Sequence, residues 1–326
     1  MRVTWRDQRG GVQQLLASPD PVLRAAAPPL SVDRGTTHPA GPRRWPGRQL
    51  DIQGHRGARA LVVENTIPSF LAAFDAGATG VELDVRLTAD GHVVVWHDPR
   101  IEAEKCRPTV EDLVGARVDE LTLEQLRTID VGSRRLSAFP RQRDVPDARI
   151  PTLPELLEVG RDRARDAWWT IELKVDPTER GVSDTRARLL DGVLEAVAAA
   201  GTARQSLIHS FDWAVLELAR DQAPELQRSA LAVAGVTYTA GSPWLGSLDW
   251  REHGDDLAGA AAAVGAHVVS PHHGSVDANL VSRAHDLGLG VLPWTVNEPD
   301  DLRRVVAAGV DGLITDDPEL ALSVVG

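Results

Sequence analysis

A chain of 326 residues with a formal charge of −12 is long enough for one large barrel or two smaller domains, and its negative balance argues against nucleic acid or an anionic membrane surface as a partner held by bulk electrostatics. An anionic substrate must therefore be attracted locally. The single cysteine, Cys106, excludes an internal disulfide framework, and no apolar run approaches the roughly 18 residues expected of an integral membrane segment.

Residues 1–50 are rich in Arg, Pro and Gly and lack periodicity, so they read as an N-terminal arm, irregular for most of its length. No charged start followed by an apolar h-region is visible, which makes a cytoplasmic protein the expectation. The alternative is secretion through a signal ahead of a misassigned start codon. The apolar residues before His55 then read as a first strand. Asn65 to Ala76 has the spacing of an amphipathic helix, with Ile67, Phe70, Leu71 and Phe74 on one face, ended by Gly77 and Gly80. Gly80 to Asp84 follows as a second strand. Its Glu82 and Asp84, two residues apart, point to the same face. Two carboxylates side by side on a buried face repel each other unless a cation sits between them, and an all-oxygen pair favours a hard divalent metal ion such as Mg or Ca. A polar barrel layer or a salt-bridged strand is the plainer alternative. Asp90-Gly91 is a two-residue hairpin signal between strand formers, and a turn centred there sets Asp84 opposite His97. His97 so placed is a candidate acid or base.

Residues 99–167 read as an insertion region. Within it a short helix is expected from Thr122 to Ile129 with a Thr122/Gln125 capping box, the stretch FPRQRDVPDARIP as an ordered loop, and another helix starting at Pro154 to Gly160. From Trp168 the cadence becomes regular, with strands near 168–173, 205–210, 229–233, 267–270, 289–295 and 311–315 and helical patterns between them. Together with the two earlier strands this makes eight, hence an α/β fold of the TIM (β/α)8 barrel type, with the insertion after the hairpin that follows the second strand. An open doubly wound sheet is the runner-up, but no GxGxxG follows the first strand. Glu172 and Lys174 repeat the two-residue spacing at a strand's end, offering a third carboxylate and a positive point charge. His272 and His273 are expected at the barrel rim, pointing opposite ways and so not sharing a metal. Asp316 and Asp317 are expected to cap the last helix rather than act in chemistry.

The stretches GHRG, ENTIPSF, GVELDVRLTADG and VVWHD resemble, in order and spacing, the motif block of the glycerophosphodiester phosphodiesterase family, and IELK, HSFDW, VLPWTVN and DGLITDDP resemble its later motifs. The resemblance runs from about Asp51 to the C-terminus, so residues 51–326 are expected to form the phosphodiesterase barrel. It implies hydrolysis of a small-molecule glycerophosphodiester to sn-glycerol 3-phosphate and an alcohol, whereas residue chemistry alone reaches metal-assisted phosphoryl transfer. Glu82, Asp84 and Glu172 would hold one divalent metal ion, Arg56 and Lys174 would bind the phosphate, and His55 and His97 would divide the acid and base roles. Trp294 would form an apolar wall beside glycerol. Either glycerol's own 2-hydroxyl or water serves as nucleophile in such a scheme. Of the thirty-five Lys plus Arg, lysine stands only at 105 and 174. A compact ammonium is therefore expected to be wanted at 174, while arginine is expected to serve equally well at 105. Two departures from the family pattern stand out: Val63 before Glu64-Asn65-Thr66 in place of proline, and His209 in place of glutamine. The competing readings are a phospholipase D-like enzyme acting on lysophospholipids or sphingolipids, which needs an exposed apolar rim, a non-catalytic barrel that binds phosphodiesters, and a metal-independent scaffold.

Overall fold

In the computed structural model, which describes residues 2–6, 12–16, 50–108, 112–164 and 166–326, strands and helices alternate from Asp51 onward. The strands are β1 (Asp51–His55), β2 (Gly80–Leu87), β3 (Trp168–Leu173), β4 (Ser206–Ser210), β5 (Gln227–Ala232), β6 (Val268–Pro271), β7 (Gly290–Val291) and β8 (Gly312–Thr315). All eight run parallel in the order β7-β6-β5-β4-β3-β2-β1-β8. The two ends of that order meet through hydrogen bonds from Ile314 N to Pro293 O (2.9 Å) and from Val296 N to Ile314 O (2.9 Å). The sheet thus closes into the expected TIM barrel rather than staying open.

Valine, leucine and isoleucine on the outer faces of the strands, among them Val81, Leu83, Ile171 and Ile208, pack against the surrounding helices in the main core. Inward-facing Leu207, Val268, Leu292 and Ile314 form a separate apolar cluster that fills the barrel floor. Above that floor the inner face turns polar, because His55 is level with Glu82 and Asp84 is level with Glu172, which is level with His209. Helices that leave the upper rim are capped by the side chains of Thr66, Thr152, Asp212, Asp256, Asp277 and Asp317, which accept first-turn N–H groups.

The hairpin after β2 departs from expectation by one residue. Its ladder pairs Val85 with Val95, Arg86 with Val94 and Leu87 with Val93, so Trp96 and not His97 stands opposite Asp84, with Trp96 N donating to Asp84 O (2.9 Å). The cause is a three-residue loop, Ala89-Asp90-Gly91, in which Gly91 takes a left-handed φ of 87° and Thr88 Oγ1 ties Asp90 (2.6 Å) and His92 N (2.9 Å). The helix expected from Asn65 spans Ile67–Asp75, the expected Thr122/Gln125 capping box is formed, and a second box, Thr152/Glu155, opens the helix Leu153–Arg163. Between the hairpin and Leu153, Trp96, Ile101, Cys106, Leu126, Ile129 and Ile150 gather into a small core of their own. Near the N-terminus Arg2–Arg6 pairs antiparallel with Val12–Leu16; the remainder of the expected arm, up to residue 49, lies outside the described residues. No helix among the described residues is long and apolar enough to cross a membrane.

Candidate active site

The site is built first by the turn that ends β1. Arg56 and Gly57 both have positive φ (52° and 87°), which reverses the chain directly above the strand, and Asn65 (φ 53°) closes the same loop by donating its N–H to Arg56 O (3.1 Å). A side chain at Gly54 would place its Cβ 2.2 Å from Gly57 O, so the tight turn requires glycine there. Left-handed backbone at non-glycine residues is costly and is held here by side-chain bonds. Arg56 Nη1 donates to Glu64 Oε1 (2.9 Å), Arg56 Nε lies 3.1 Å from Asp84 Oδ2, and Asn65 Nδ2 donates to Asp84 Oδ2 (3.0 Å). The Arg56 N–H itself points to Glu82 Oε2 (3.3 Å).

Glu82, Asp84 and Glu172 meet on the inner face, each offering an oxygen within 4.8 Å of the others. Glu82 Oε1 is buried without a hydrogen-bond partner, and Asp84 Oδ1 is buried with only the Lys174 ammonium beside it. Lys174 Nζ reaches across the group, 2.7 Å from Glu172 Oε1 and 3.0 Å from Asp84 Oδ1. Burial, joined by repulsion from Asp84 and Glu172, pushes the Glu82 carboxyl well above its ordinary range. Burial also raises Glu172 despite the opposing ammonium of Lys174. For Asp84 the same burial is overcome by Lys174 and Arg56, which hold it well below the usual carboxylate range. Ionised together, the three acids outnumber Lys174 and Arg56, and the two pushed upward would give up their protons to one further small cation between them.

Each histidine is held through Nδ1 by an acid. His55 Nδ1 lies 2.6 Å from Asp316 Oδ1, and Asp316 is itself fixed by Asn297 Nδ2 at Oδ2 (2.8 Å) and by its own N–H on Asn297 Oδ1 (2.9 Å). His97 Nδ1 lies 2.9 Å from Asp98 Oδ1, whose other oxygen accepts from Lys105 Nζ (2.6 Å). A carboxylate on Nδ1 selects the tautomer that leaves Nε2 as the proton acceptor. His55 Nε2 lies 3.8 Å from Glu82 Oε2. Burial and the Arg56 charge push both imidazoles down, His97 well below the ordinary histidine value, so both rest neutral.

His55, Arg56, Glu82, Asp84, His97, Glu172 and Lys174 are thus brought to one end of the barrel. His97 arrives by the bend after the hairpin rather than by strand alternation. Trp294 stands at another part of the rim, its ring edge-on to Phe211 (5.3 Å between centroids) and His272 (5.6 Å), with Nε1 donating to Ser270 O. Three expectations need correction. Asp317 caps the last helix, but Asp316 turns inward to His55, because one N-terminus accommodates a single capping acid. His272 and His273 do not diverge: a 3-10 turn at His273–Ser275 brings their rings within 4.5 Å. Lys105, expected to be replaceable by arginine, is no free charge, since its ammonium binds both Asp98 and Glu64 (2.8 Å) beside the site. The signal that could have found Asp316 is the doubled acid before Pro318, of which one member is left without a cap to make.

Comparison with known proteins follows this geometry. Residues 55–320 match the model of the glycerophosphoryl diester phosphodiesterase family. A glycerophosphodiester phosphodiesterase of Caldanaerobacter subterraneus subsp. tengcongensis is 31% identical over 274 residues, covering 84% of this chain and 97% of the relative. A crystal structure from Silicibacter pomeroyi, provisionally named a glycerophosphoryl diester phosphodiesterase, superposes with a TM-score of 0.76 at 34% identity and covers 84% of this chain and 92% of its own. The same fold is found, at 22% identity and a TM-score of 0.64, in an Oleispira antarctica phosphodiesterase solved with the product sn-glycerol-3-phosphate, over 84% of this chain and 96% of that one. A closed barrel with three acids and two acid-held histidines at its upper end, matched over most of its length by this model and these relatives, belongs to the glycerophosphoryl diester phosphodiesterase family.

Proposed function

We propose that the protein hydrolyses glycerophosphodiesters to sn-glycerol 3-phosphate and an alcohol, with one divalent cation and with His55 and His97 as the proton-transfer pair. The observation that carries the reading is the buried Glu82, Asp84 and Glu172 cluster, with Glu82 Oε1 unpartnered, level with an acid-held histidine. Those three acids would hold the cation, and an all-oxygen donor set suits Mg or Ca. Such an ion, when bound, polarises the phosphate and stabilises the charge that develops on it.

The chain's own residues do the rest. Arg56 and Lys174 present positive charge to the non-bridging oxygens. One histidine takes the proton of the attacking hydroxyl through Nε2 as the new O–P bond forms; the other, neutral in the free protein, takes up a proton from solvent when the anionic diester binds and gives it to the alcohol oxygen as the old P–O bond breaks. Asp316 and Asp98 keep both rings oriented and stabilise whichever is the imidazolium. Attack by glycerol's 2-hydroxyl, with later opening of a cyclic phosphate by water, and direct attack by water both use these groups.

The lipid-directed alternative asks for an exposed apolar rim. Among the described residues the exposed large hydrophobic side chains are Val114, in a turn, and Leu287, just past the end of the helix Ala278–Asp286. Turnover of glycerophosphocholine, glycerophosphoethanolamine and lysophosphatidylcholine, measured after chelation and again with Mg, Ca or Mn added back, tests the proposal. Activity on the first two should vanish with chelator and return with a cation, and Asp84→Asn should weaken cation binding while the fold persists. Full activity in metal-free protein would remove the cation from the scheme, and turnover of lysophosphatidylcholine alone would favour the lipid reading.

A further inference from the structure

The hairpin extension of β2 carries one more charge to the mouth of the site. Arg86 follows Asp84 by two residues, so it shares the face of Glu82 and Asp84 and stands about 7 Å further along the strand toward solvent. Its Nε donates to the carbonyl oxygen of His97 (2.8 Å), which fixes the half-buried guanidinium over the site. Its two terminal nitrogens have no acid to pair with among the described residues. The acids whose charge reaches it are Asp98, Asp84, Glu172, Glu179 and Asp119, and each is already engaged. Asp98 holds His97 and Lys105, Asp84 holds Arg56 and Lys174, Glu172 holds Lys174, and Glu179 and Asp119 each hold Arg117 through both oxygens.

The other cations of the site stand in contrast. Arg56 and Arg59 lie on Glu64, Lys105 bridges Glu64 and Asp98, and Lys174 bridges Asp84 and Glu172. A guanidinium presents a planar fork of donors that matches a carboxylate or phosphate, and Arg86 keeps that fork open. The direction in which it opens also matters. The barrel floor beneath the acids is filled by Leu207, Val268, Leu292 and Ile314, so the part of a diester that varies in size, its alcohol, has only the mouth to occupy.

We propose that Arg86 forms an anion subsite at the mouth which takes an acidic group carried on the alcohol of the diester, so that diesters with an acidic alcohol are preferred over those without. This rests on the phosphodiesterase reading above. It differs from a contact with the phosphate being cleaved, which would favour all diesters alike. Glycerophosphoserine and glycerophosphoethanolamine differ by one carboxylate and form the test pair. In the wild-type protein with its divalent cation, kcat/KM should favour the serine diester. Arg86→Gln should lower the serine-to-ethanolamine ratio by about tenfold to a hundredfold, the range of a charge-assisted hydrogen bond, and Arg86→Lys should lower it by less. Loss of the bond to the His97 carbonyl slows both substrates and cancels in the ratio. An unchanged ratio in Arg86→Gln overturns the subsite and leaves Arg86 as a support for His97 alone. If the wild-type protein turns over neither diester, the proposed reaction has failed, and calorimetric binding of the two diesters to wild type and Arg86→Gln then reads the same ratio, with equal affinities overturning the subsite.

Discussion

The carboxylate of Asp316 does for His55 what Asp98 does for His97, yet Asp316 is the more buried, with Asn297 on its second oxygen where Asp98 has Lys105. Although burial opposes its charge, the contact with His55 pulls Asp316 down to about 2. Its contribution to stability is therefore fully present above the unfolded value near 4 and is lost as pH falls through about 2. Asp316→Asn should leave the ring in place but spoil the tautomer, lowering kcat by about a hundredfold or more. The pH profile separates this from a packing defect: its limb should shift with Asn and return in part with Asp316→Glu, whereas an unshifted profile with a lower Tm would make Asp316 purely structural. His209 gives a second residue-level prediction. At 1% exposure, burial first and the Lys174 charge second push its imidazole down to about 3. Between the unfolded value near 6.5 and about 3 the unfolded chain binds a proton there that the folded chain refuses. Stability should thus fall as pH drops through that window, by up to about 1.4 kcal/mol per pH unit for this group. Urea unfolding between pH 7 and 4 should give a shallower dependence in His209→Gln than in wild type, and identical slopes would show that His209 is not held neutral.

At the scale of elements, the hairpin and the segment behind it decide how His97 is presented. A loop one residue longer than the Asp90-Gly91 signal implies changes which side chain faces Asp84, because strand alternation has a period of two. The chain then bends out of the strand after Trp96, whose ring packs into the small core with Ile101 and Ile150, and His97 and Asp98 are left at the site's edge. Lys105, only 14% exposed at its side chain, fastens this segment to the β1 turn by holding Asp98 and Glu64 together. Glu64 is kept well below the usual carboxylate range by Arg59, Lys105 and Arg56 against the cost of burial. Removing one member of such a buried group leaves charge uncompensated, so Lys105→Met should lower stability by about 3 kcal/mol and reduce turnover. Lys105→Arg should recover part of both. Urea unfolding and kcat together check this, and a neutral Lys105→Met would mean that the segment is held by its apolar core alone.

For the molecule as a whole, closure of the barrel is what completes the site. Asp316 and His55 are 261 residues apart and meet only because β8 pairs with β1. The sequence alone determined the parts whose placement follows from short-range periodicity. Glu82 with Asp84, and Glu172 with Lys174, share a face because side chains alternate along a strand; the eight-strand count follows from the strand and helix cadence; and the Thr122/Gln125 capping box follows from spacing within one turn. The tertiary structure decided what depends on neighbours distant in the chain. It settled that Asp316 serves a histidine while Asp317 serves the helix, that Lys105 joins two loops, and that Arg86, among the described residues, pairs with no acid. The physical reason is that facing is a local property of the backbone, whereas the partner of a charge is chosen by competition among all the groups that the closed barrel brings within reach.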